Sequence, residues 1–337
     1  MKANLRTMIV GAIALSMLAA LLGRGVAQEP KLRTMKYTSR PADAVERWQR
    51  DVRARLFPLL KLDDLLANRA RIPLNPKVLK TEDHDAYQQR QIEINSTTTR
   101  RIIARVTFPK GAKGPLPAVV CIPGHGGTRD TVYVKASAYK GFAAELAARG
   151  YVTIATNVGQ HKVYENGRTL MGERLWDLMR CVDYLESLPE VDAKRIGCGG
   201  LSLGGEMSMW LGGMDTRMAA TVSAGFLTRM DQMEQNHCMC WKFRGLRELV
   251  DFTDIYALTA PRPLLCQNGE KEPPSQFPPS IARPCMAEIR TTYADAGKPE
   301  NVALFVHGGG HEIALENLLQ FFDRHFGGKP SATPTNR

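Results

Sequence analysis

Residues 195–205 read Arg195-Ile196-Gly197-Cys198-Gly199-Gly200-Leu201-Ser202-Leu203-Gly204-Gly205. Residues 195–198 have the character of a short buried strand, and a helical run opens at Leu203, so Gly200-Leu201-Ser202-Leu203-Gly204 occupies a strand-to-helix turn. A nucleophile on such a turn needs a strained backbone, and glycines two residues to either side let strand and helix approach without a Cβ clash. The helix that follows points its positive end at the reacting oxygen. The Leu203 N–H is then placed to stabilise an oxyanion.

Outward from this turn the chain alternates. Strands are expected at 118–122, 151–156, 195–198, 219–223, 263–267 and 302–306, and helices at 139–149, 172–188, 203–212, 281–296 and 313–326. Short apolar strands separated by amphipathic helices predict an α/β fold, a mostly parallel central sheet with helices on both faces. In such sheets ligands bind beyond the carboxyl ends of the strands. Before the alternation, residues 42–62 carry Val45, Trp48, Val52 and Leu56 at helical spacing, which marks a helical extension packed on the core. Two β-rich segments, 88–95 and 101–108, lie between that helix and the turn at 111–117. The Pro-rich stretch 273–279 reads as a loop, and 329–337 as a flexible tail.

A serine hydroxyl needs a base at neutral pH. His311 follows the last strand in His307-Gly308-Gly309-Gly310-His311, where a loop can lean over the sheet edge towards Ser202. His307 reads as a strand-end residue bonded to backbone. The acid that orients the imidazole is sought after the strand 263–267, in Asn268-Gly269-Glu270-Lys271-Glu272-Pro273. Glu272 is preferred and Glu270 is the alternative. Asp251 and Asp254 precede a helix-like 255–258 and are read as able either to serve as that acid or to cap the helix. After the strand 118–122, Pro123-Gly124-His125-Gly126-Gly127 exposes backbone N–H groups where an acyl oxygen would sit, so His125 first and Gly126 next are the other oxyanion donors.

Seven cysteines leave at least one unpaired within a monomer. Cys121, Cys198 and Cys266 fall in apolar strands and Cys181 in a helical pattern, where a thiol acts as a small hydrophobe. Cys238, Cys240 and Cys285 fall in loop-like sequence and are the disulfide candidates. His237-Cys238-Met239-Cys240-Trp241 brings zinc to mind, but no second ligand pair follows it, so no metal is expected. The segment is read instead as a disulfide or a pocket wall, with Trp241 and Phe243 shaping a substrate subsite.

Lys2 and Arg6, an apolar run 8–22 and the small residues Gly25-Val26-Ala27 form a secretory signal pattern, residues 1–27, with cleavage expected after Ala27. The run is shorter than the ~20 residues of a membrane span, so a secreted or periplasmic protein without a stable anchor is expected. Loss of Lys2, Arg6 and Arg24 with no acid lowers the formal charge from +11 to +8. The remaining Lys and Arg are scattered, with no dense tract and no interleaved aromatics, which argues against nucleic-acid binding.

Residues 117–326 resemble α/β-hydrolases of the dienelactone hydrolase and acetyl xylan esterase-like group. The matching pieces are Pro123-Gly-His-Gly-Gly127, Arg174-Leu-Trp-Asp-Leu-Met-Arg180 with Asp183-Tyr-Leu185, Gly200-Leu-Ser-Leu-Gly-Gly205, Ala260-Pro-Arg-Pro-Leu-Leu265, Asn268-Gly-Glu-Lys271 and Gly310-His311. The resemblance implies the α/β-hydrolase fold, with an N-terminal extension at 28–75 and a catalytic domain at 76–328. It further implies a carboxylic ester hydrolase that needs no cofactor and acts on a small-molecule or polysaccharide ester, with Ser202 and His311 in a serine, acid, histidine triad. The group usually has Asp where this chain has Glu272. Serine at 202 separates the chain from the true dienelactone hydrolases, whose nucleophile is cysteine. A secreted peptidase of the prolyl oligopeptidase type is the rival reading, as is a silent binding protein on the same fold; the chain lacks the propeller expected of the former.

Overall fold

The computed structural model describes residues 32–327. The expected leader 1–27 and the tail 329–337 lie outside the described residues. The chain enters as a strap at residues 33–35, whose N–H groups donate to the carbonyls of Arg247, Glu248 and Leu249 at 2.8–2.9 Å. Arg33 locks the strap: Nε donates to Asp254 Oδ2 at 2.6 Å and Nη2 to Glu288 Oε2 at 2.7 Å.

Helix α1 (Ala42–Leu60) follows, and the spaced residues Val45, Trp48, Val52 and Leu56 belong to its buried stripe. Helix α2 (Asp63–Asn68) leads to strands β1 (Lys77–Asp83), β2 (Tyr87–Asn95) and β3 (Arg101–Pro109). The alternating region then contains β4 (Leu116–Ile122), α3 (Phe142–Ala148), β5 (Val152–Thr156), α4 (Leu170–Glu186), β6 (Val191–Leu201), α5 (Leu203–Met214) and β7 (Ala220–Ala224). Three short helices come next, α6 (Met230–Asn236), α7 (Leu246–Leu249) and α8 (Phe252–Ala257). The chain closes with β8 (Leu264–Gly269), α9 (Pro279–Asp295), β9 (Val302–His307) and α10 (Leu315–Phe326).

Among the described residues, nine strands form one sheet in the order β1-β2-β3-β5-β4-β6-β7-β8-β9. Pairs β1/β2, β2/β3 and β3/β5 are antiparallel; every pair from β5/β4 to β8/β9 is parallel. The parallel strands are buried on both faces because successive side chains enter opposite cores. Strand β4 illustrates it: Ala118, Val120 and Ile122 join the core under α1, α4, α5 and α9, while Val119 and Cys121 join the core under α3 and α10.

One strand is not foreseen by the sequence, and two expectations are corrected. Strand β1 carries no apolar alternation, since all its residues but one are exposed, and periodicity could not reveal it. Residues 273–278 are a loop as read, but Pro279 opens α9, where its missing N–H costs nothing at a helix start. Cys285 is accordingly no loop residue. It is buried in α9 and, like the other six cysteines, free.

Candidate active site

The turn at Ser202 has the strain the sequence implies, with φ 63° and ψ −125° at a non-glycine residue. Its neighbours show why glycine is required. A Cβ on Gly200 would lie 2.4 Å from the Ile122 carbonyl oxygen, and one on Gly204 only 2.1 Å from the same atom. The turn is held from below by the Ser202 N–H donating to Ala224 O at 2.9 Å. Leu203 is the first residue of α5, so its N–H is among those with no intrahelical acceptor.

His311 is placed by two adjacent loops stitched together. Glu270 N–H donates to His307 O at 2.8 Å and Lys271 N–H to Gly309 O at 2.9 Å. Gln267 on β8 clamps the far side through Ala314 and Asn317. Glu272 thereby reaches His311, with Oε1 2.8 Å from Nδ1. Its carboxylate is almost wholly buried, and Oε2 has no hydrogen-bond partner among the described residues. Of the two acids offered by the sequence it is Glu272, not Glu270, that faces the ring. Asp251 and Asp254 instead form a capping box on α8, and His307 accepts the Gly309 N–H at 3.3 Å. The ring of His311 stacks on Phe277 at 5.6 Å and lies over Gly225, whose φ of 58° and bare Cα leave the room.

Ser202 and His311 line one cavity of about 270 Å³ with His125, Leu203, Glu206, Phe226, Met233, His237, Cys238, Cys240, Gln276 and Phe277. Its location beyond the carboxyl ends of the strands is where ligands of open α/β sheets bind. The loop after β4 forms one rim: Gly124 N–H donates to the Tyr139 hydroxyl at 2.6 Å, and Gly127 N–H to Gly124 O at 3.1 Å. His125 and Gly126 sit at the crest of that turn. Burial, then Arg174 and His161, lowers the His125 imidazole to about 4, so the ring is neutral at pH 7. A larger cleft of about 930 Å³ flanks the same loop and contains Arg100, Arg129, Tyr164 and Glu165.

Two expectations fail here. Trp241 is fully buried and packs edge-on to Phe252 at 5.3 Å, and Phe243 lies against Trp210 at 6.2 Å; neither lines the cavity. Its aromatic walls are Phe226 and Phe277, from the loops after β7 and β8. Cys238 and Cys240 form no disulfide; with His237 they line the cavity, in line with the pocket-wall alternative, and the groups that join them lie upstream in the chain rather than downstream. Their Sγ atoms lie beside the rings of His125 and His161, with all four ligating atoms within 4.8 Å of one another. Sequence reading also passes over Glu206, an acid in the first turn of an otherwise apolar helix. It is buried at the cavity wall, and burial raises its carboxyl to about 8.

The family model for fungal glucuronyl esterases matches residues 92–225. A candidate hydrolase of Bacillus subtilis is 24% identical over 286 residues, covering 77% of this chain and 92% of its own length. An acetyl esterase of Xylanibacter ruminicola is 30% identical over 161 residues, which are 41% of this chain and 36% of that protein. Among solved structures, a candidate acetyl xylan esterase from Bacteroides fragilis superposes with a TM-score of 0.68 at 19% identity, over 87% of this chain and 82% of that one. The fold is that of the α/β-hydrolases. The chain groups, by sequence and fold, with carboxylic ester hydrolases.

Proposed function

We propose that the protein is an exported serine esterase in which Ser202, His311 and Glu272 act as a triad. The observation that carries the reading is the 2.8 Å contact between buried Glu272 and His311, on a cavity shared with a serine held at positive φ. His311 takes the Ser202 proton as Oγ attacks the ester carbonyl. Glu272 fixes the ring so that Nδ1–H points away from the serine and Nε2 is free to accept, and it stabilises the imidazolium that forms. Backbone donors at Leu203 and at His125 or Gly126 hold the oxyanion. The ring then protonates the departing alcohol, and a water activated by the same ring releases the acid from the acyl-enzyme.

The cavity supports a substrate class. About 270 Å³ bounded by Phe226, Met233 and Phe277 suits a short acyl group, and the wide cleft beside it, with Arg100, Arg129, Asn157 and Glu165 on its walls, suits the hydroxyl-rich alcohol of a carbohydrate. Acetylated polysaccharide is the substrate we favour, in keeping with the names of the Xylanibacter and Bacteroides proteins, while the matching family model is named for a glucuronyl ester. Rate on p-nitrophenyl esters should fall as the acyl chain lengthens past acetyl, and acetylated xylan should release acetate. Ser202→Ala should abolish turnover and labelling by a fluorophosphonate while the chain stays folded. Retained turnover in that variant refutes the triad; preference for methyl glucuronate over acetyl esters refutes the substrate assignment.

A further inference from the structure

We propose that His125, His161, Cys238 and Cys240 bind one zinc ion at the rim of the cavity. The residues come from three separate segments: the loop after β4, the loop after β5 and the stretch between α6 and α7. His125 Nε2 lies 3.2 Å from Cys240 Sγ, and His161 Nε2 lies 3.3 Å from Cys238 Sγ. The two rings stack at 5.3 Å. Tetrahedral zinc, with Zn–S of ~2.3 Å and Zn–N of ~2.0–2.1 Å, sets its nitrogen and sulfur ligands about 3.6 Å apart. The observed spacings therefore need only a few tenths of an ångström of adjustment. Two thiolates and two neutral imidazoles also match the donor softness of the ion and cancel its charge.

Arg174 supplies an independent observation. Its side chain is fully buried, yet among the described residues it hydrogen-bonds to no carboxylate: Nη1 donates to Cys240 Sγ and to Met171 Sδ, both at 3.4 Å, Nη2 donates to Gln160 O, and Nε finds no acceptor there. A buried cation that faces a sulfur is satisfied when that sulfur is a thiolate, the form a metal imposes. Arg174 then stands to the site as an outer-shell donor, tuning the Cys240 ligand as such partners do. Four protein ligands close the coordination sphere, so the ion is structural. It ties residues 238–240 to the crest of the loop whose backbone faces the Ser202 oxyanion.

The test is a cobalt(II) titration of the full chain, reduced with a thiol-free phosphine and freed of metal. The expected result is the intense visible d–d absorption of tetrahedral cobalt with sulfur-to-metal charge transfer, saturating at one ion per chain and bleached by an equivalent of zinc. Cys238→Ser/Cys240→Ser should abolish the spectrum. His161→Ala, at an exposed position, should weaken zinc binding by more than the roughly 10–100-fold that outer-shell changes cost. Ser202→Ala should bind cobalt as the parent does, so the metal site and the esterase reading stand or fall separately. Near-ultraviolet circular dichroism establishes that the cysteine variant is folded. An octahedral spectrum, binding unchanged in the cysteine variant, or a protein isolated with a Cys238–Cys240 disulfide and no affinity for zinc after reduction would each overturn the proposal.

Discussion

Replacing Glu272 by Gln tests the proposed mechanism most sharply. In the reaction the His311 ring becomes positive 2.8 Å from the Glu272 oxygen. With an effective dielectric constant of ~20, two unit charges at that separation attract by about 6 kcal/mol. At ~1.4 kcal/mol per decade that is about four decades of rate. Gln removes the charge and can also present its NH2 to Nδ1, which moves the ring proton to Nε2 and deprives Ser202 of its acceptor. The expected outcome is a fall in kcat of about 10³–10⁴ on p-nitrophenyl acetate, with KM little changed. Glu272→Asp, which keeps the charge but shortens the side chain, should lose much less, and Glu270→Gln should lose almost nothing. Thermal melting of each variant separates loss of chemistry from loss of fold. A fall of less than about tenfold in folded Glu272→Gln would refute the role given to this acid.

Two further outcomes follow from the burial of charge. Arg33→Ala leaves Asp254 without a cation among the described residues, while Glu288 keeps Arg229 and the Thr253 hydroxyl, and Asp254 keeps bonds to the N–H groups of Tyr37 and Asp251. The loss should therefore lie near the low end of the ~3–5 kcal/mol for a broken buried pair, read as a lower Tm and faster proteolysis of the strap. At Glu206 burial raises the carboxyl from 4.5 to about 8. The unfolded chain then gives up this proton first, so between pH ~4.5 and ~8 the unfolded state binds fewer protons and this group makes stability fall as pH rises, by at most ~1.4 kcal/mol per pH unit, levelling above pH ~8. Glu206→Gln should flatten that slope in urea melts at about pH 5, 6.5 and 8, and an unchanged slope would refute the assignment.

The alternating region is legible because its strands and helices each bury a face, and a buried face leaves a period in the sequence. Where burial fails, the signal fails. β1 is almost wholly exposed, and α6 to α8 are four to seven residues long, too short for a helical period to stand out. Ser202, Glu272 and His311 can be nominated because each follows a strand at the same end of the sheet. The same rule would find Phe226 and Phe277; adjacency to the cysteines leads to Trp241 and Phe243 instead. His161 is invisible to such reading since it meets Cys238 across 77 positions, a distance over which spacing carries no information.

The outermost strand has a consequence for handling the protein. Among the described residues β1 pairs only with β2 and leaves its other backbone rim unpaired, and Val78 and Leu79 are exposed on it. Lys77, Lys80, Glu82 and Asp83 are the charges that keep such a rim from recruiting a neighbour's strand. Exchanging the two lysines for valine would remove this guard and turn the border of the sheet into a seed for fibrous association, at concentrations where the parent stays clear.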